Sequence, residues 1–242
     1  MTHEIQQLMQ SLRLLGMRTA YEGLVSTKNL HSIGNDELLN LLLQAEWDER
    51  ENSKVNRRLQ NAKFRIRASI EEIDFLTPRG LDKTQLLRFA DGSFIKHAEN
   101  ILITGQTGVG KSYIASAIGH HACRLGYKVC YFIAQKLFLM LRMSKADESY
   151  MRQIKRLEKH DLLIIDDFGM QPLDDMSRMM LLEIIEDRHQ KSSTILASQL
   201  PVEKWYDVIG ESTVADAILD RLVHTSHRIE LSGESMRKKK KV

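Results

Sequence analysis

Gly105-Gln106-Thr107-Gly108-Val109-Gly110-Lys111-Ser112 decides the reading of this 242-residue chain. The octet has the spacing GxxxxGK[ST], in which glycines let the main chain curl until several N–H groups point at one phosphate. It follows a short apolar run, Ile101–Thr104. It precedes Ser112–Arg124, where Ile114, Ala115, Ile118 and Ala122 share one helical face before Gly126 ends the helix. A helix starting at such a loop adds the positive end of its dipole to the cradle. Lys111 would then reach the β- and γ-phosphates of ATP, and the Ser112 hydroxyl would ligate Mg²⁺. Gly105, Gln106, Thr107, Gly108, Val109, Gly110 and the adjoining Tyr113 complete the expected nucleotide-binding set. The bland alternative is a glycine-rich turn between a strand and a helix.

Downstream, Leu162-Leu163-Ile164-Ile165-Asp166-Asp167 is an apolar run ending in two carboxylates. Nothing polar precedes its end, as expected of a strand buried on both faces. The carboxyl edge of such a strand is where ligands bind in open α/β sheets. Asp166 would hold Mg²⁺ through water, and Asp167 would orient and polarise the attacking water. The alternative is an Asp pair that begins a turn. Val129–Ile133, Thr194–Ser198 and His227–Leu231 are further strand candidates, with helices near 135–143, 149–159 and 174–189 between them. This alternation predicts a parallel sheet of five strands covered by helices.

Three other signatures lack their partners. Asp166-Asp167-Phe168-Gly169 fits the DxxG of GTPases, but the nearest guanine-reading match, Ser144-Lys145-Ala146-Asp147, precedes it. Asp167-Phe168-Gly169 matches the kinase DFG, and no HRD loop accompanies it. Leu231-Ser232-Gly233-Glu234-Ser235 matches the signature of ABC transporter ATPases, but follows the acidic strand instead of preceding it.

The first 74 residues read as helical. Ile5, Leu8, Met9, Leu12 and Leu15 recur at helical spacing, with Gly16 as the interruption, and Asn35 or Asp36 caps a second helix. Residues 36–51 hold six acidic residues and one basic one. Lys54, Arg57, Arg58, Lys63, Arg65 and Arg67 then follow with no acid among them. Such a run, with Phe64 as its one aromatic, suits contact with DNA phosphates more than base stacking; a solvated helix face paired with residues 36–51 would explain it too. Pro78 and Gly80 mark a joint. The expected domains are a helical region over 1–76, an ATPase core over 77–232 and a basic tail over 233–242.

The charge of +3 is set by the end of the chain. Arg237–Lys241 carries five cations; without them, the 35 Lys and Arg fall to 30 against 32 acids. Such a tail is either solvated or a non-specific phosphate contact. No apolar run reaches the roughly 18 residues that a membrane helix needs. Cys123 and Cys130 form neither a CxxC pair nor a disulfide framework, which points to a reducing, cytoplasmic location. The histidines, among them His120, His121, His189, His224 and His227, have no metal-ligand spacing with the cysteines, so nucleotide-borne Mg²⁺ is the metal expected.

The stretch from about 80 to 232 resembles the AAA+ ATPases of the DnaC-like helicase-loader clade. Leu12-Arg13-Leu14-Leu15-Gly16-Met17-Arg18, the phrase Leu41–Arg50, Ala62-Lys63-Phe64-Arg65 and Ile73-Asp74-Phe75 resemble the N-terminal region of IstB-like proteins, the helper ATPases of bacterial insertion sequences. The resemblance covers nearly the whole chain. It implies an AAA+ P-loop core preceded by a small all-helical domain and lacking a C-terminal lid. It makes Gln199, after the fourth strand, a γ-phosphate sensor, and Arg221, in Asp216–Leu222, an arginine finger reaching a neighbouring subunit's ATP. A local pair of Arg221 with Asp216 or Asp220 is the alternative. The resemblance further implies a bacterial, cytoplasmic ATPase that forms a ring or helical filament on double-stranded DNA and assists a transposase in target selection and strand transfer. A replicative helicase loader is the alternative client assignment. A nucleotide-binding module of poor hydrolysis is a second alternative, because Asp167 stands where many AAA+ proteins have Glu and Gln199 where Asn or Asp is more usual.

Overall fold

The computed structural model describes residues 2–27 and 33–236. The basic tail expected over Arg237–Lys241 lies outside them. The chain divides into two compact units, Met1–Arg57 and Arg58–Val242.

The first unit holds α1 (Thr2–Ser11), α2 (Leu15–Ser26) and the larger part of α3 (Asn35–Ala62). The break between α1 and α2 falls at Arg13, whose φ is +58°, and not at Gly16. Gly16 sits within α2 for a packing reason: a Cβ there would lie 2.2 Å from the Ala45 carbonyl oxygen. The Glu46 carboxylate accepts from the Gly16 and Met17 N–H groups at 2.9 and 3.3 Å and so caps α2.

The second unit is a layered α/β structure. Its strands are β1 (Asn100–Gly105), β2 (Val129–Ile133), β3 (Leu162–Phe168), β4 (Ser193–Ser198) and β5 (Ser226–Leu231). All pair in parallel, in the order β2-β3-β4-β1-β5. Its helices are α4 (Lys83–Arg88), α5 (Ser93–Lys96), α6 (Lys111–Arg124), α7 (Ala134–Ala146), α8 (Tyr150–Glu158), α9 (Asp175–Arg188), α10 (Trp205–Ile209) and α11 (Ser212–Val223). Among the described residues no helix follows β5.

Side chains alternate across a strand, so one sheet serves two cores. Ile101, Ile103, Ile164, Ile195 and Ala197 face Ile114, Ala115 and Ile118 of α6. Leu102, Leu163, Ile165 and Leu196 face the layer of α7 to α11, including Leu137, Leu141, Met180 and Ile218. Buried Ala62, Ala68, Ile70 and Ile73 belong to the first of these cores. The boundary at Arg57 lies earlier than the joint expected at Pro78 and Gly80, because the segment before Pro78 packs with the α/β unit.

Since every strand is parallel, β3, β4 and β1 end side by side at one edge. That edge carries the phosphate loop, the two aspartates and Gln199.

Candidate nucleotide site

The phosphate loop leaves β1 through Gly105 (φ +143°) and turns again at Gly108 (φ +90°) and Gly110 (φ +104°). Gly105 also has to be small, since a Cβ would lie 2.1 Å from the Leu231 carbonyl oxygen on β5. As at α5, α7, α8 and α10, no side chain caps α6, whose N-cap is Gly110, whereas α4, α9 and α11 are capped by Asp82, Asp174 and Glu211. The first-turn N–H groups of α6 thus lack the side-chain acceptor that α4, α9 and α11 have. What marks α6 is that its open start follows three left-handed glycines, Gly105, Gly108 and Gly110, and on the two features together the loop fits a phosphate. Lys111 is buried, and its Nζ donates to the carbonyls of Gly105 and Gln106 at 2.6 and 2.8 Å, which holds the loop curled. Ser112 is partly exposed. The Tyr113 hydroxyl is 3.1 Å from a Glu72 carboxylate oxygen.

The acidic pair sits in a bulge. Ile165 pairs with Leu196 and Phe168 with Ser198, so Asp166 and Asp167 together oppose Ala197 alone. Asp166 is fully buried, accepting from the Tyr131 hydroxyl at 2.5 Å and from the Asp167 N–H at 2.9 Å. Burial and the Asp166 carboxylate push the Tyr131 phenol well above its ordinary pKa, so it stays a donor. The bulge gives Asp167 a φ of +55° and brings its carboxylate 3.5 Å from Nη1 of Arg65. A cavity of about 380 Å³ opens beside Asp167, between α7 and the chain from Phe168 to Asp174.

Gln199 meets the phosphate loop directly: Thr107 Oγ1 donates to Gln199 Oε1 at 2.6 Å. The structure therefore brings Lys111, Ser112, Asp166, Asp167 and Gln199 to one edge. Two further contacts had no signal in the sequence. Arg79, between the punctuating Pro78 and Gly80, is buried and donates to the Val109 carbonyl at 2.8 Å and to the Asp74 carbonyl at 2.9 Å. Burial lowers its pKa, with the Asp74 charge opposing. The Met236 N–H donates to the Gly108 carbonyl at 2.9 Å, so residues beyond β5 also touch the loop.

Arg221 lies elsewhere. Asn100, at the start of β1, donates from Nδ2 to the Arg221 carbonyl at 3.3 Å. Five residues of strand, about 16 Å, separate that end of β1 from the phosphate loop. The Arg221 guanidinium pairs with Glu186 at 3.0 Å, not with Asp216 or Asp220.

The basic run is divided: Lys54 and Arg57 belong to the first unit, and Arg58, Lys63, Arg65 and Arg67 to the second. Lys54 pairs with Glu51 at 2.6 Å, and Arg65 with Asp167. Both cysteines are free and buried, and burial pushes each thiol up to about 12. Among the described residues, no cluster of His, Cys, Asp and Glu has the make-up of a metal site, and no helix is long and apolar enough to cross a membrane.

The geometry agrees with what the chain is similar to. An insertion sequence ATP-binding protein of Sinorhizobium fredii is 42% identical over 238 residues, covering 98% of this chain and 97% of that protein. The crystal structure of DnaI superposes with a TM-score of 0.58 at 22% identity, over 68% of this chain and 91% of its own. That of the DnaC helicase loader gives 0.54 at 18%, over 68% and 96%. At these identities the two likenesses show a shared fold. The model of the family described as IstB-like ATP binding protein matches residues 7–242. This chain is a member of that family, the ATP-binding proteins of insertion sequences.

Proposed function

We propose that this protein hydrolyses ATP to ADP and phosphate and, with ATP bound, assembles on duplex DNA to help a transposase select a target and carry out strand transfer. The observation that carries the reading is the shared strand edge. It holds the phosphate loop, the acid pair and Gln199 beside a helix N-terminus that no side chain caps.

Lys111, on leaving the Gly105 and Gln106 carbonyls, would grip the β- and γ-phosphate oxygens. Ser112 and Asp166 would hold Mg²⁺, which supplies charge neutralisation at the phosphates. The Tyr131 hydroxyl would keep the Asp166 carboxylate oriented. Asp167 would accept a hydrogen bond from the attacking water, and Gln199 would connect that water or the γ-phosphate to Thr107. Arg221, distant from its own phosphate loop, would serve the ATP of a neighbouring copy, which makes assembly respond to the nucleotide.

The helical region over 1–76 and the cations Lys54, Arg57, Arg58, Lys63, Arg65 and Arg67 would contact DNA or the transposase. We place the protein in the bacterial cytoplasm, where its cysteines stay reduced. The fold likeness to a helicase loader supports a helicase as the alternative client; co-purification with a transposase or with a helicase separates the two. The test of the main reading is phosphate release with and without duplex DNA. Wild type should turn over, Lys111→Ala should lose turnover, and Asp167→Asn should keep nucleotide binding while losing roughly 10²-fold in rate. No release by wild type under any condition overturns the reading.

A further inference from the structure

Helix α8 buries one side and charges the other. Ile154 and Leu157 face the core. Arg152, Lys155, Arg156 and Lys159 are exposed and recur at intervals of three, four and seven residues, which puts them on one helical face. Lys128, exposed just before β2, joins them, and together they line one concave surface of about 610 Å³.

Some exposed cations of the second unit meet acids, as Arg124 meets Glu71, Arg142 meets Asp174 and Arg228 meets Glu203, while others, such as Lys83, Lys136 and Lys191, stand singly and do not share a surface with the cations of α8. None of the five cations of the cleft has a carboxylate within ion-pair distance among the described residues. Glu158 lies about 100° around the helix from the centre of the basic face. The Asp161 carboxylate is engaged by the Lys128 main-chain N–H at 2.7 Å. Five like charges gathered in one concavity repel one another, and an anionic partner relieves that repulsion.

We infer that this cleft binds the phosphate backbone of duplex DNA. From Arg152 to Lys159 the helix advances about 10 Å, which covers about three phosphates of one strand. The surface has no Phe, Tyr or Trp on which an unstacked base could rest; Met151 and His160 complete its lining. Backbone contact with a duplex fits this better than capture of a single strand. Lys128 and His160 precede β2 and β3, so the cleft lies toward the strand-start edge, away from the phosphate loop. DNA bound there leaves the nucleotide site open.

This inference rests on the proposal that the protein binds DNA, and the test separates the two. Fluorescence anisotropy with a random-sequence duplex compares wild type with a variant carrying Arg152→Gln, Lys155→Gln, Arg156→Gln and Lys159→Gln, between about 50 and 200 mM salt. Affinity should fall at least about tenfold, and the slope of log affinity against log salt should flatten by about 3 to 4. DNA-free ATP turnover should stay within about twofold of wild type, which shows the variant folded; a second variant, Lys128→Gln with Arg152→Gln, should give an intermediate loss. Equal affinity and slope in wild type and variant overturn the cleft while DNA binding itself stands. No duplex binding by wild type sinks both. Loss of binding to anionic lipid vesicles with DNA binding intact reassigns the surface to a membrane and overturns the inference.

Discussion

Arg65 Nη1 lies 3.5 Å from Asp167 Oδ2, so a cation expected on DNA touches the carboxylate expected to orient water. The contact is built by packing. Gly119 on α6 leaves room for the Phe64 ring, since a Cβ there would sit 2.6 Å from both Phe64 and Ile164. Phe64 in turn packs against His120, the two rings tilted by 45° with centroids 4.2 Å apart. Once Phe64 is seated, its neighbour Arg65 is delivered to the bulge on β3. A guanidinium at Asp167 competes with water for that carboxylate.

Arg65→Ala should therefore raise DNA-free ATP turnover. An exposed pair of this kind is worth up to about 1 kcal/mol, which corresponds to at most about fivefold in rate. The measurement is steady-state phosphate release with and without duplex. A fall in DNA-free turnover would mean that Arg65 positions Asp167 instead of restraining it.

The Arg221–Glu186 pair yields a second expectation. Alone, each copy holds Arg221 at Glu186, near the starting end of β1 and away from its own phosphate loop. Arg221→Ala should leave nucleotide affinity of the dilute protein unchanged and lower turnover of the assembled protein by about 10³-fold. Glu186→Ala removes the same ion pair and should not reproduce that loss. Calorimetric nucleotide titration alongside turnover at rising protein concentration reads both. Full activity in the Arg221 variant at high concentration would exclude a shared site.

The features legible in the sequence are those that local chemistry encodes. The octet Gly105–Ser112 and the run Leu162–Asp167 are contiguous, and each carries its own period or spacing, so strand, loop and acid pair were legible together. The helix break was not: Gly16 looked like a terminator, yet its small size serves a close approach to Ala45, while Arg13 takes the left-handed turn. Arg79 was invisible because its role depends on Val109, thirty residues away. The order β2-β3-β4-β1-β5, the bulge at Asp166–Asp167 and the meeting of Gln199 with Thr107 are pairings between distant segments. No periodicity in one segment reports its neighbour in space. The basic surface of α8 is likewise hidden in the sequence, since Lys128 joins its cations only through the fold.

Gly105 offers a test of loop geometry that is separate from catalysis. It combines a φ of +143° with the tight approach to Leu231 on β5. Gly105→Ala should destabilise the protein by about 2 to 3 kcal/mol, as backbone strain and a forced shift of β5 add. Urea denaturation of the nucleotide-free protein measures it. A loss below about 0.5 kcal/mol would mean that β1 and β5 separate at little cost.

His120 sets a pH dependence. It packs on Phe64, and its Nε2 is buried without a hydrogen-bond partner. Burial lowers its pKa below the ordinary 6.5, and the charges of Arg124 and Arg67 act in the same direction, against a main-chain hydrogen bond at Ile66. The unfolded chain thus takes up a proton at a pH where the folded protein does not. The stability held by neutral His120 is complete above about 6.5 and is lost as the pH falls through that value toward the lower folded pKa. His160 is shifted down as well, first by burial, and adds to the same slope. Urea midpoints measured from about pH 7.5 to 5 should fall in wild type and fall less in His120→Gln, which cannot take up the proton. Parallel curves for the two proteins would show that His120 titrates alike in the folded and unfolded chain.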